Sequence, residues 1–167
     1  MLGRFHPANE SRSLYGNVEP GGLPHQALSS GAGRVPWGVF VFQKEIEIRW
    51  RDLDGYAHVN HAVYVTYLEE ARDEWLTSTL AGGTAGWDHF LVHLSIDYRR
   101  QLTQADDLVI ASCEAAELGT SSVTTREELR TQGGDLVAEA SAVVVALDPG
   151  TERSRPLTDR ERSLLLP

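Results

Sequence analysis

Between Gly38 and Trp50 apolar and polar residues alternate. Phe40, Phe42, Ile46, Ile48 and Trp50 fall on one face, and Gln43, Glu45, Glu47 and Arg49 on the other. A period of two with one apolar face predicts a half-buried strand. The period then lengthens. From about Ala62 to Leu80, Val63, Tyr64, Tyr67, Leu68, Ala71 and Trp75 form a broad apolar face at helical spacing, with Val65 and Leu76 elsewhere on the wheel. Gly82-Gly83 supplies a stop. Such a helix is roughly 28 Å long, enough to cross a small sheet. Its apolar girth predicts that it is largely enclosed. The chain then turns strand-rich: Phe90 to Arg99, Leu108 to Glu117, Ser122 to Thr131 and Leu136 to Leu147, with Gly133-Gly134 as a hairpin turn between the last two. One strand, one long helix and four more strands predict an α+β domain, its helix packed against a curved antiparallel sheet.

The flanks read differently. Residues 1–37 carry Pro7, Pro20, Pro24, Pro36, Gly21-Gly22 and a Ser-Ser-Gly-Ala-Gly tract without sustained periodicity, which predicts a disordered arm. An arm lying on a partner, or a natural start near Val39 or Val41, are the other readings. The domain proper is then 38–148. Residues 149–167 form a charged tail with Pro149 and Pro156, expected to fray.

Composition narrows the class. At 167 residues, 41% hydrophobic and 23% charged, the chain reads as one soluble globular domain. No apolar run approaches the roughly 20 residues of a membrane helix, and no signal peptide is visible. The single cysteine, Cys113, lies in a strand-like run and reads as a reduced core residue of a cytoplasmic protein. A net charge of −9 argues against nucleic acid or an anionic membrane as partner. Lys44 is the only lysine. The arginine fork suits phosphate, although a GC-rich genome produces the same bias.

Candidate chemistry concentrates in Arg49 to Leu76. The acidic turn Asp52-Leu53-Asp54-Gly55 is followed by His58, Asn60 and His61, just where the helical pattern begins. A carboxylate there can serve as a general base toward water or as a nucleophile. Its plain role is to shape the turn before Gly55. Asn60 is an ordinary N-cap residue. His89 and His93 flank an apolar run with no cysteine nearby, so neither a metal site nor any other cofactor is expected.

The segments DLDGYAHVNHAVYVTYLEEAR, IDYRRQLTQADDL and GGDLVAEA together resemble the hotdog-fold thioesterases of the 4-hydroxybenzoyl-CoA thioesterase type. The wording around DLD, HVN and LEEAR is most similar to long-chain acyl-CoA and plant acyl-ACP thioesterases. The resemblance implies a curved sheet wrapped around the central helix, edge-to-edge dimers or tetramers of them, and active sites at the dimer interface. The implied substrate is an acyl-CoA or acyl-ACP, hydrolysed to acid and thiol. It places Asp54 at the catalytic carboxylate. His61 falls at the start of the central helix, where its backbone N–H would stabilise an oxyanion and its ring would orient water or protonate the thiolate. His58 matches the histidine of HVN, either hydrogen-bonding the nucleophilic site or holding the loop. Glu69 is a reserve carboxylate, or the buried partner of Arg72 at i+3. Tyr64 and Tyr67 are core or pocket wall. Arg99 and Arg100 offer forked donors to a nucleotide phosphate, or are solvated surface. The chain departs from the family wording at Tyr56, at His61 in place of a second asparagine, and at Gln101 in place of proline. Two rival readings stay open: a hydratase or dehydratase on the same fold, whose Asn-Pro element is missing here, and a non-catalytic acyl-thioester-binding dimer.

Overall fold

The computed structural model describes residues 42–80 and 87–166. The expectations for the arm, for Phe40 and for the Gly82-Gly83 stop lie outside the described residues.

Five strands form one antiparallel sheet: β1 (Phe42–Glu47), β2 (His89–Tyr98), β3 (Leu108–Leu118), β4 (Ser122–Thr131) and β5 (Leu136–Ala146). Their order is β1-β3-β4-β5-β2. Each chain-consecutive pair from β3 to β5 is a hairpin, and β1 and β2 occupy the edges. Extra residues at Val92, Ala116 and Val137 shift the register. Such bulges bend and twist their strands, helping the sheet curve around what lies on its inner face. That occupant is α1 (His61–Leu80), which packs on β1, β3 and β4. This is the hotdog arrangement.

The core has two parts along α1. Around its N-terminal half, Tyr64, Tyr67, Leu68 and Ala71 pack with Ile46, Ile48, Val59, Leu102, Val109 and Leu129. Around its C-terminal half, Trp75 and Leu76 pack with Trp87, Val123, Val144 and buried Cys113. Burial pushes the Cys113 thiol well above its ordinary pKa, so it stays protonated and inert.

Four expectations need correction. Trp50, placed on the inward face by alternation, is 83% exposed. Strand pairing stops at Glu47 and a 3-10 turn over Trp50–Asp52 breaks the period. The helix is not enclosed all round: His61, Ala62, Thr66, Glu69, Asp73 and Glu74 are exposed, and the buried stripe occupies one side only. Glu69 does not pair with Arg72. The Arg72 guanidinium crosses the core instead and donates from Nη1 to both carboxylate oxygens of Glu127 on β4, at 2.9 and 3.0 Å. The charged tail does not fray either. Leu157 and Leu165 are buried in the second core cluster, and Asp159–Leu165 form α2, which packs on α1. Glu161 holds this segment down, accepting from Arg155, from Trp87 Nε1 at 2.7 Å and from the Thr158 N–H at 2.7 Å. The Arg155 fork, working against burial, brings the Glu161 carboxyl down to about 2.

Candidate active site

The loop between β1 and α1 is a small hairpin, and its construction decides where Asp54 points. The Asp54 N–H donates to the His58 carbonyl at 2.7 Å and the Ala57 N–H to the Asp54 carbonyl at 3.1 Å. Leu53 bridges Val59, and the Asn60 N–H donates to the Asp52 carbonyl at 2.9 Å. This is the pattern of a three-residue hairpin loop whose last residue is left-handed. That residue is Ala57, at φ 60°, while Gly55 beside it has no positive φ. Asp54 Oδ1 accepts from the N–H groups of Tyr56 (2.8 Å) and His58 (3.3 Å). So the plain turn-shaping role is carried by one oxygen. Among the described residues Oδ2 meets no donor, and the carboxylate is only half-buried.

The second leg of the hairpin runs straight into α1. Asn60 Oδ1 accepts from the Ala62 N–H at 2.9 Å, a side-chain N-cap. The N–H of His61, first residue of the helix, has no hydrogen-bond acceptor among the described residues, as helix geometry requires of a first-turn donor. Positive dipole ends are favourable places for developing negative charge.

The third wall comes from the end of β2 and the residues that follow it. Tyr98 Oη donates to the His61 carbonyl at 3.0 Å, and its ring meets Tyr64 edge-on, centroids 5.2 Å apart. Tyr64 Oη donates to the Arg100 carbonyl at 3.3 Å and accepts from the Leu102 N–H at 2.9 Å. Burial chiefly raises the Tyr64 phenol above its ordinary pKa, so it acts as a neutral tether. Between these walls opens a cavity of about 350 Å³, lined by Asp54, His58, Val59, His61, Tyr64 and the Tyr98–Gln101 segment. A larger cavity, about 580 Å³, lies at the opposite end of β2 around His89, Phe90 and Asp148. It has no carboxylate beside a long helix's N-terminus, so the smaller one is the candidate site.

A family model described as the thioesterase-like superfamily matches residues 48–161. The chain belongs to that superfamily. It is 32% identical over 126 residues to the long-chain acyl-CoA thioesterase FadM of Escherichia coli, covering 74% of this chain and 96% of FadM. Among solved structures, a Thermus thermophilus thioesterase crystallised with coenzyme A and zinc superposes with a TM-score of 0.69 at 26% identity, over 77% of this chain and all of that one. The probable thioesterase YbaW of Escherichia coli gives 0.60 at 28% identity, over 74% and 96%.

In this thioesterase-like chain six of the eight residues singled out in the sequence line the one cavity: Asp54, His58, His61, Tyr64, Arg99 and Arg100. Asn60 caps the helix beneath it, and Glu69 lies exposed outside it. Neither arginine is simply solvated. Arg99 Nε donates to Glu139 at 2.7 Å and Arg100 Nη1 to Asp106 at 2.9 Å, so each charge at the rim already has a carboxylate. His89 sits elsewhere, Nδ1 at 2.8 Å from the Trp87 carbonyl and Nε2 at 3.2 Å from Asp73.

Three residues that line the cavity were not among those singled out: Val59, Tyr98 and Gln101. Tyr98 and Gln101 flank the arginine pair, so position in the chain could have suggested them. Asp52 could not be distinguished from Asp54 by residue type, yet it is 6% exposed and faces the opposite way, into the core. Its Oδ2 accepts from Tyr67 Oη (2.7 Å), the Arg49 N–H (2.9 Å) and Arg49 Nε (3.2 Å). Burial pushes its carboxyl up, and these donors outweigh it, leaving Asp52 below the usual carboxylate range.

Proposed function

We propose that the protein is an acyl-CoA thioesterase that hydrolyses an acyl thioester to free carboxylic acid and coenzyme A. The observation that carries this reading is the convergence in one cavity of Asp54 with the start of α1. The 32% identity to FadM supports acyl-CoA as substrate, and acyl-ACP stays the alternative carrier.

In this mechanism Asp54 Oδ2 takes a proton from water, which adds to the thioester carbonyl, or attacks that carbon itself to give a mixed anhydride that water then opens. The carbonyl oxygen becomes negative and is met by the His61 N–H, aided by the helix dipole. Collapse of the adduct breaks the C–S bond. The His61 ring protonates the departing thiolate, and His58 holds its side of the hairpin against Asp54. Tyr64 and Asn60 set the position of the helix end. Arg99 and Arg100 exchange their carboxylate partners, Glu139 and Asp106, for nucleotide phosphate.

The active form is a homodimer or homotetramer in the cytoplasm. Strand β2 supports the assembly, because it is an edge strand of ten residues with Phe90 62% and Val92 53% exposed. A long apolar edge of this kind is normally covered.

The test is thiol release from a panel of acyl-CoAs by the wild type and by Asp54→Asn. The expected result is turnover lowered by at least about 10²-fold, with the variant still folded. Wild-type rates in D54N on the best substrate would refute the assignment. Hydration of an enoyl-CoA, or tight binding without turnover, would favour the two rival readings.

A further inference from the structure

We propose that Asp52, braced by Tyr67 and Arg49, is a positioning residue that holds Asp54 and the start of α1 at their working separation. The proposal rests on the acyl-CoA thioesterase reading and deepens it by assigning a role to a residue outside the cavity.

The argument begins with where Asp52 sits. It is the last residue before the hairpin and the point at which the two legs join, since its carbonyl accepts from the Asn60 N–H. Everything needed for the chemistry hangs from that junction: Asp54 at the tip of one leg, and Asn60 and His61 at the end of the other. The tip itself is a narrow, partly strained turn with few packed side chains, as Tyr56 is exposed and Ala57 is left-handed. Its orientation must therefore be fixed at the base.

The base is fixed by one oxygen. Three donors converge on Asp52 Oδ2 from two places: Arg49, two residues beyond β1, and Tyr67, in the second turn of α1. Arg49 also reaches α1 directly, donating from Nη2 to Glu70 at 3.2 Å. Glu70 is one turn beyond Tyr67, so strand, hairpin base and helix are tied at consecutive points. Only an ionised carboxylate presents an oxygen able to take three donors in a buried place at low cost. The second leg is pinned independently by the Val59 N–H to the Leu102 carbonyl at 2.8 Å and by the His58–Thr103 bridge. Releasing Asp52 frees one leg while the other stays fixed. Asp54 then swings relative to the His61 N–H. Misplacement by about 1 Å can cost as much as 10²-fold in rate.

The test compares Tyr67→Phe and Asp52→Asn with Glu161→Gln, which weakens the fold at the far end of the molecule. Y67F removes one hydroxyl and little volume, so it keeps the question open even where D52N folds poorly. The expected result is a kcat lowered about tenfold in Y67F and D52N with KM within about twofold, and a Y67F/D52N double variant no slower than D52N. E161Q should lose stability with kcat unchanged. If Y67F and D52N keep wild-type kcat while melting earlier, Asp52 is structural only and the proposal fails. A wild type that releases no thiol would instead defeat the thioesterase reading. In that event the imidazole NMR signals of His58 and His61 decide the positioning claim. Signals displaced in Y67F but not in E161Q support it, and signals unmoved in both overturn it.

Discussion

Replacing Glu127 by Gln tests the most consequential contact in the core. The Arg72 and Glu127 side chains are 2% and 1% exposed, and the carboxylate also accepts from Thr125 Oγ1 at 2.6 Å. Arg72 Nε has no acceptor among the described residues, so the guanidinium depends on Glu127 for its compensation. E127Q preserves volume and removes the charge, leaving a buried cation with one neutral amide. Breaking a buried pair from one side costs about 3–5 kcal/mol. With a urea m-value of about 2 kcal/mol per molar, the midpoint should fall by roughly 2 M. Urea unfolding at several protein concentrations, which separates assembly from folding, measures it. The double variant Arg72→Met with Glu127→Leu should recover most of the loss, because replacing the whole pair by apolar groups is often neutral or better. Glu69→Gln, on the exposed side of α1, should change stability by no more than about 0.5 kcal/mol. An E127Q midpoint equal to that of E69Q would refute the reasoning, as would a double variant no better than E127Q alone.

Two further perturbations follow from named contacts. Ala57→Gly relieves a left-handed alanine and should stabilise the protein by about 1 kcal/mol, visible in a thermal melt; a lower melting temperature would contradict the assigned strain. Glu161 has a folded-state pKa depressed to about 2 from an ordinary 4.5, so its contribution is fully present above about pH 4.5 and disappears as the pH falls toward 2. That contribution is on the order of 3 kcal/mol, since the side chain is 13% exposed and little screened. The stability gap between wild type and E161Q should therefore close over that acid window, and a gap constant from pH 6 to 2 would count against the Arg155–Glu161 clasp.

The sequence disclosed what is local. Strands β2 to β5 were legible because alternation and turn residues are properties of neighbours, and the observed ends differ from the expected ones by a residue or so. Asp54, His58, Asn60 and His61 were legible together because one hairpin and one cap hold them within eight residues. What was hidden is what packing decides. Glu127 sits in Thr-Thr-Arg-Glu-Glu-Leu-Arg-Thr, which reads as a solvated strand, and only the fold shows that one of two adjacent glutamates points at Arg72. Trp50 looked like core until the strand ended before it. The tail looked loose because its charges find partners in Trp87 and in the β3–β4 turn, far away in the chain: Arg162 donates to the Gly119 and Thr120 carbonyls.

The tip of the hairpin that carries Asp54, residues 54–58, has no buried side chain and turns on one left-handed alanine, while α1 and the sheet are held by the whole core. Two such regions do not open at the same free energy. On warming, the Asp54 tip should let go well before the strands separate, so the temperature at which hydrolysis fades would report the hairpin and not the fold. Heat inactivation would be reversible in that interval, because cooling only has to close the tip, residues 54–58, onto an intact scaffold.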